Sequence, residues 1–289
     1  MSTGVAQLAG RARPRRPWIR PRSAIPGFGL TLGVTLSMLS LVVLLPLSAV
    51  ALKASGLGWS QFFAAGFSSR ALAAYRLSFA AATLAGGVNG LFGLLTAWAI
   101  VRYDFPGKTL VNGLIDLPFA LPTAVAGVSL ATLYGEKGWI GAPLAALGVK
   151  VAYTPLGVVA ALTFIGLPFV VRTLEPVMRD LAVDVEEAAA SLGASRPQTL
   201  LRVILPALVP AWLTGFALAF ARGVGEYGSV IFIAGNMPFR SEIAPLLIVI
   251  QLEQFNYAEA SAIAVVMLSV SFLMLLAINL IQAWSRRYQ

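Results

Sequence analysis

Cysteine and histidine are both absent from the 289 residues. Without thiols there are no disulfides and no cysteine nucleophile, and without imidazoles there is no Cys/His metal site and no paired-histidine protease centre. Serine–histidine chemistry is excluded with them, and no lysine falls within an apolar segment to serve a serine as base. Charge is scarce as well: charged residues make up 11%, against about 25% in an ordinary soluble domain. No G-x-x-x-x-G-K-[ST] run occurs anywhere, so the chain has no phosphate-cradling loop of its own. What is present is apolar: 58% of residues are hydrophobic and the mean hydropathy is +0.82. A soluble core of this size cannot hide so much apolar surface. The chain is expected to be an all-α integral membrane protein, with no cofactor, no metal and no catalytic residue. Its net charge of +9 would point to nucleic acid in a soluble protein. Here the placement of the arginines accounts for it.

Residues 1–26 are polar and carry six arginines between Arg11 and Arg22; they are expected to form a disordered cytosolic tail. The apolar stretch from Phe28 to Leu52 is too long for a signal-peptide core, and Lys53 and Trp59 follow it instead of a small-residue cleavage site. It is predicted as the first transmembrane helix. Further spans are expected at roughly 77–100, 112–134, 154–174, 207–233 and 258–284, each near the ~20 residues a bilayer requires. That makes a transmembrane domain over 27–284 with six helices. With both termini in the cytosol, the cytosolic segments hold 14 of the 21 basic residues and the outer segments six. The imbalance follows the rule that positive loops stay inside.

Several spans are interrupted. In the third, Pro118 and Pro122 are expected to release carbonyls and bend the helix, which a membrane tolerates only where protein or water covers the freed groups. Thr123 follows directly. Gly166-Leu167-Pro168 in the fourth span is a similar weak point, open to either close packing or pore lining. The fifth carries Arg222-Gly223-Val224-Gly225-Glu226. Arg222 and Glu226 are four apart and can pair on one helical face, either as a structural ion pair or as part of a substrate path or gate. Pro118, Pro122, Thr123, Arg222 and Glu226 are therefore the candidate translocation residues. Between spans five and six, the run from Ile243 to Leu252 is too short to cross and is expected to be a re-entrant or surface element.

One sizeable polar island lies between the long apolar segments. Its punctuation reads as two short helices joined by a glycine. Asp184 can cap the first, with Glu187 three residues on as a capping-box partner. Gly193 suits the left-handed position past the helix end. Ser195, Pro197 and Gln198 repeat a start signal, and Pro206 is expected to end the second helix near Leu205. Between the caps, Ala188, Ala189, Ala190 and Ala194 leave the backbone open to close approach.

Glu187-Ala188-Ala189, Gly193, then Val203, Leu205 and Pro206 resemble the cytoplasmic loop of the permease subunits of ATP-binding-cassette importers, with valine where isoleucine is usual. The runs Leu117–Gly127, Gly225–Asn236 and Glu242–Leu246 look like the sulfate/thiosulfate branch. Arg102-Tyr103-x-Phe105-Pro106-Gly107 and Gly166–Arg172 favour its T-type subunit over its W-type. The likeness covers about 28–284. It implies a type I importer permease fold, with the core permease domain at about 71–284 and a coupling loop at 175–206. By the resemblance, Glu187, Ala188, Ala189, Gly193, Val203, Leu205 and Pro206 dock an ATPase. It further implies a heterodimer with a W-type permease, two ATPase subunits on the cytosolic side and an extracytoplasmic sulfate-binding protein that delivers the anion, in a bacterial inner membrane. No nucleic acid is involved. Molybdate or tungstate transport is the alternative within this class, and an independent ion channel the alternative outside it. A channel has no need of the helix–glycine–helix module.

Overall fold

A computed structural model describes residues 28–181 and 183–285. The basic tail at 1–26 and the terminal Arg286 and Arg287 lie outside them. The chain divides into two compact units, Met1–Ser48 and Ala49–Gln289. In the first, α1 (Phe28–Leu39) runs through a π-helical turn, Ser40–Leu44, into α2 (Leu45–Ser55), which crosses into the second unit. Together Phe28–Ser55 is long and apolar enough to cross a bilayer.

The second unit continues with α3 (Trp59–Gly66), the 34-residue α4 (Ser69–Arg102), α5 (Lys108–Ala120), α6 (Thr123–Tyr134), the short α7 (Gly141–Ala146) and α8 (Pro155–Asp180). After α9 (Val183–Ser191) and α10 (Arg196–Thr199), a second π-helical turn, Leu200–Ile204, leads into α11 (Leu205–Val224). The one-turn α12 (Val230–Ile233), α13 (Ala244–Glu253) and α14 (Tyr257–Ser285) complete it. Among the described residues five helical stretches can span a membrane, or six if α5 and α6 count as one broken span.

The helices α4, α8 and α11 form the packed centre. Lipid removes the hydrophobic drive between helices, so they associate through close van der Waals contact, and small residues permit it. Gly93 of α4 and Gly215 of α11 both press on Val170 of α8. A methyl at Gly93 would sit 2.7 Å from Val170 Cγ1, and one at Gly215 2.9 Å from Val170 Cα. Trp212 is held at the same layer by its indole N–H, which donates to the Gly90 carbonyl at 2.9 Å.

Three expectations need correction. Of the two prolines expected to bend the third span, only Pro122 stands at the break. Pro118 sits inside α5, while Leu121 is extended and α6 leaves at 115° to α5. A residue before proline is pushed out of the helical region, so Leu121 opens the chain there. Second, Gly166-Leu167-Pro168 is no weak point: α8 runs unbroken through it, with Gly166 and Pro168 buried against the chain's own core. Third, the fifth span ends at Val224, and Arg196–Val224 is one helical stretch that Pro206 does not terminate. The π-turn explains why. Leu205 N–H bonds Leu200 O, five residues back, which widens the helix just before a residue with no N–H to give. The same device precedes Pro46, where Leu45 N–H bonds Ser40 O. The run after Ile243 forms α13, ten residues long, with Ala244, Leu246 and Leu247 buried.

Candidate functional site

The polar island folds as a compact helix–turn–helix. Helix α9 begins at Val183, so Asp184 lies in its first turn instead of capping it, and its side chain is outside the described residues. Glu187 is correspondingly deeper in the helix than a capping-box acid and exposed. The C-terminal end closes as the glycine requires. Gly193 has φ +83°; its N–H donates to Ala190 O at 2.9 Å, and Ala194 N–H to Ala189 O at 3.0 Å. This is the paired bonding of a Schellman end, which satisfies carbonyls the helix would otherwise leave bare. The next helix starts on Ser195, whose N–H donates to Gln198 Oε1 at 2.8 Å, with Pro197 in its first turn.

The two halves of the expected docking set fall on either side of the short α10. Glu187, Ala188, Ala189 and Gly193 lie on α9 and its turn; Val203, Leu205 and Pro206 lie on the π-turn and the start of α11. Ala188, Gly193 and Pro206 are exposed, whereas Ala189, Val203 and Leu205 are half-buried. The most prominent surface feature is a residue the motif skips. Leu192 is 89% exposed at the tip, and Val185, two turns earlier, is 42% exposed. An apolar residue just ahead of the left-handed glycine in a polar island was the available signal. The acid that ties the loop to the membrane helices is Glu186, not Glu187: its carboxylate pairs with the Arg102 guanidinium at the end of α4. Adjacent helical residues point about 100° apart, so only one of the two acids can face inwards.

Beside the loop, Arg172 lies within α8, so it belongs to a span and not to the cytosolic segment the count assigned it. Its Nε and Nη2 donate to Asp116 of α5 at 2.8 and 2.6 Å, and its Nη1 to Glu175 at 2.5 Å. Glu175 also accepts from Arg179 at 2.5 Å. Among the described residues the stretches long enough to span also carry Lys53, Arg70, Arg76, Arg102, Arg179, Arg196 and Arg202, most of them near a helix end, so Arg222 is not alone in them.

At the opposite ends of the helices the Arg222–Glu226 pair forms as expected, but not along one helix. Arg222 is in the last turn of α11 and Glu226 is beyond its end. Glu226 is 3% exposed. Its Oε2 meets the Arg222 guanidinium, and its Oε1 accepts the Ser229 N–H at 2.9 Å and the Ser229 hydroxyl at 3.0 Å. Both carboxylate oxygens are occupied by the chain itself. Helix α6 packs on this turn: a methyl at Gly127 would fall 2.3 Å from Ser229 O, and one at Gly228 would fall 2.2 Å from Thr123 Oγ1. Thr123 therefore lies against Gly228, two residues beyond Glu226. Pro118 stays apart on α5, which packs against α8, and Pro122 is exposed at the bend.

Residues 89–288 match the family model described as binding-protein-dependent transport system inner membrane component. A relative from Synechocystis sp. described as a sulfate transport system permease protein is 51% identical over 255 residues, covering 88% of this chain and 89% of its own. A protein of the same description from Escherichia coli (strain K12) is 46% identical over 265 residues, covering 92% and 96%. Among solved structures, a bacterial ABC transporter involved in importing the acidic polysaccharide alginate superposes with a TM-score of 0.71 at 16% identity, over 90% of this chain and 94% of that one. That likeness is one of fold, the fold of a type I importer permease. The chain belongs to the binding-protein-dependent transport system inner membrane components, and is a multi-pass membrane protein of that family.

Proposed function

We propose that the chain is the T-type permease subunit of an ATP-driven sulfate importer, lining half of a pore and converting ATPase motion into alternating access. The observation that carries this reading is identity near one half, over nearly the whole chain, to relatives described as sulfate permeases. A W-type permease would supply the other half, two ATPase subunits would sit on the cytosolic side with one docked on the α9–α10 loop, and an extracytoplasmic sulfate-binding protein would load the anion. The loop then faces the cytosol, as do both termini. Glu187, Ala188, Ala189, Gly193, Val203, Leu205 and Pro206 form the docking element within a coupling loop at 175–206. Its exposed Leu192 supplies the apolar contact that a bare alanine surface lacks, since truncating one such buried contact ordinarily removes a large share of binding. The core permease domain spans 71–284.

The anion path is assigned to the α5–α6 bend, with Pro118, Pro122 and Thr123. In this reading Arg222 and Glu226 hold the turn that α6 rests on, because both Glu226 oxygens are already engaged, Oε1 by Ser229 and Oε2 by Arg222. Selection then falls to the binding protein, which fits a chain with no cluster of free cations within its described spans. The test is ATP-dependent uptake of labelled sulfate by the assembled complex, challenged with thiosulfate and molybdate. Competition by molybdate alone would transfer the reading to the molybdate class.

A further inference from the structure

Helix α4 is continuous for 34 residues, about 51 Å at 1.5 Å per residue, enough to cross the bilayer and protrude. Each end is bound by an ion pair to a segment far away in sequence. At the loop end, Arg102 pairs with Glu186 of α9, 84 residues on, and its guanidinium carbon lies 5.4 Å from the Trp98 ring centroid, one turn back. That stacking holds the guanidinium against its own helix while its edge reaches the loop. At the far end, Arg70 grips Glu242, 172 residues on, through two parallel bonds: Nε to Oε2 at 2.8 Å and Nη2 to Oε1 at 2.6 Å. The Glu242 side chain is 1% exposed. Two turns along, Ser78 Oγ accepts the Ala244 N–H at 2.9 Å, at the start of α13. A fork-on-carboxylate contact fixes orientation as well as distance, so α13 cannot turn independently of α4.

We propose that α4 transmits movement of the docking loop to the α13 segment on the far side, with Arg102–Glu186 and Arg70–Glu242 as its two attachments. The proposal rests on the importer reading for what moves the loop. It adds which helix carries the motion and which residues position it. Coupling between distant sites needs a rigid element that both sites bias. Here a single unbroken helix is fastened to both.

The assembled complex, with its ATPase, tests this at the loop end. Three forms are compared per mole of complex: wild type, Glu186→Gln, and the exchange Arg102→Glu with Glu186→Arg. Measured are ATPase co-purification, ATP hydrolysis and sulfate taken up per ATP consumed. Glu186→Gln should leave co-purification and hydrolysis near wild type while uptake per ATP falls on the order of tenfold, within the range of ordinary coupling energies. The exchange should recover most of that loss. Unchanged uptake per ATP in Glu186→Gln overturns the proposal, as does an exchange that recovers nothing. Loss of ATPase in proportion to uptake also overturns it, since Glu186 would then be a docking contact only. Wild type that neither binds the ATPase nor takes up sulfate would instead overturn the importer reading, and the two failures are told apart by that control.

Discussion

Gly193 concentrates what a single residue contributes to this loop. At φ +83° a side chain is strained, and a β-branched one most of all. Gly193→Val should cost about 1–2 kcal/mol at that residue and unmake the turn that presents Leu192. Membrane abundance should stay near wild type while ATPase co-purification drops, as judged by affinity capture from detergent. Capture at full yield with full uptake would refute the docking role. For Glu187, exposed and deeper in α9 than a capping acid, the expected effect of removal is small. Glu187→Gln and Glu187→Ala should differ in helix stability by no more than a few tenths of a kcal/mol. A large, equal loss of uptake in both would locate a charge contact with the ATPase. At the other end, Glu226→Gln leaves Arg222 without its counter-charge, and breaking a partly buried pair costs about 3–5 kcal/mol at most. A glutamine oxygen can still accept from Ser229, so the double change Arg222→Gln with Glu226→Gln should restore both abundance and uptake. Restored abundance without uptake would mean that Arg222 meets the anion.

At the scale of elements, the π-turns decide how the loop is joined to the membrane helices. Proline can neither donate a hydrogen bond nor fit its ring against the preceding turn of a regular helix, and the Leu200–Ile204 turn accommodates this. Pro206→Ala restores the donor and should let this stretch return to regular α-helix. Removing one residue's worth of bulge rotates everything before it by about 100°. Because the chain has no cysteine, a single cysteine at Leu201, 63% exposed, reports the change. Its labelling rate should fall in the Pro206→Ala background, while packing of Leu208, Ala211 and Gly215 is unaffected. An unchanged rate would show that the turn is set by tertiary contacts instead of the proline. The sequence placed a proline boundary here and saw a helix end, since composition shows a breaker but not the bulge that absorbs it. Both Pro118 and Pro122 were expected to bend the third span for a related reason: the two look alike in sequence, but only at Pro122, where Leu121 is extended, does the helix break.

Over the whole molecule, the spans were legible because a bilayer sets a length that apolar runs must meet. Their ends were not, since α4 continues past the apolar window on Arg70 and Arg102, whose partners lie 172 and 84 residues away, and α8 on Arg179, which pairs with Glu175 of its own helix. Glu242 and Glu186 could not be matched to Arg70 and Arg102 from spacing, because neither pair lies within one helix. In the loop the left-handed Gly193 and the Ser195–Gln198 start were readable because such signals are local, whereas the Asp184 cap, the Glu187 capping box and the Pro206 end were not. Its most exposed side chain, Leu192, falls between the motif positions. The central claim is ATP-driven sulfate import coupled through that loop. The measurement that tests it most directly is uptake of labelled sulfate into proteoliposomes holding the full complex, with ATP on the loop side and the binding protein opposite. The account predicts accumulation that needs ATP and is lost in Gly193→Val at equal protein. Accumulation without ATP, or equal in wild type and Gly193→Val, would contradict it.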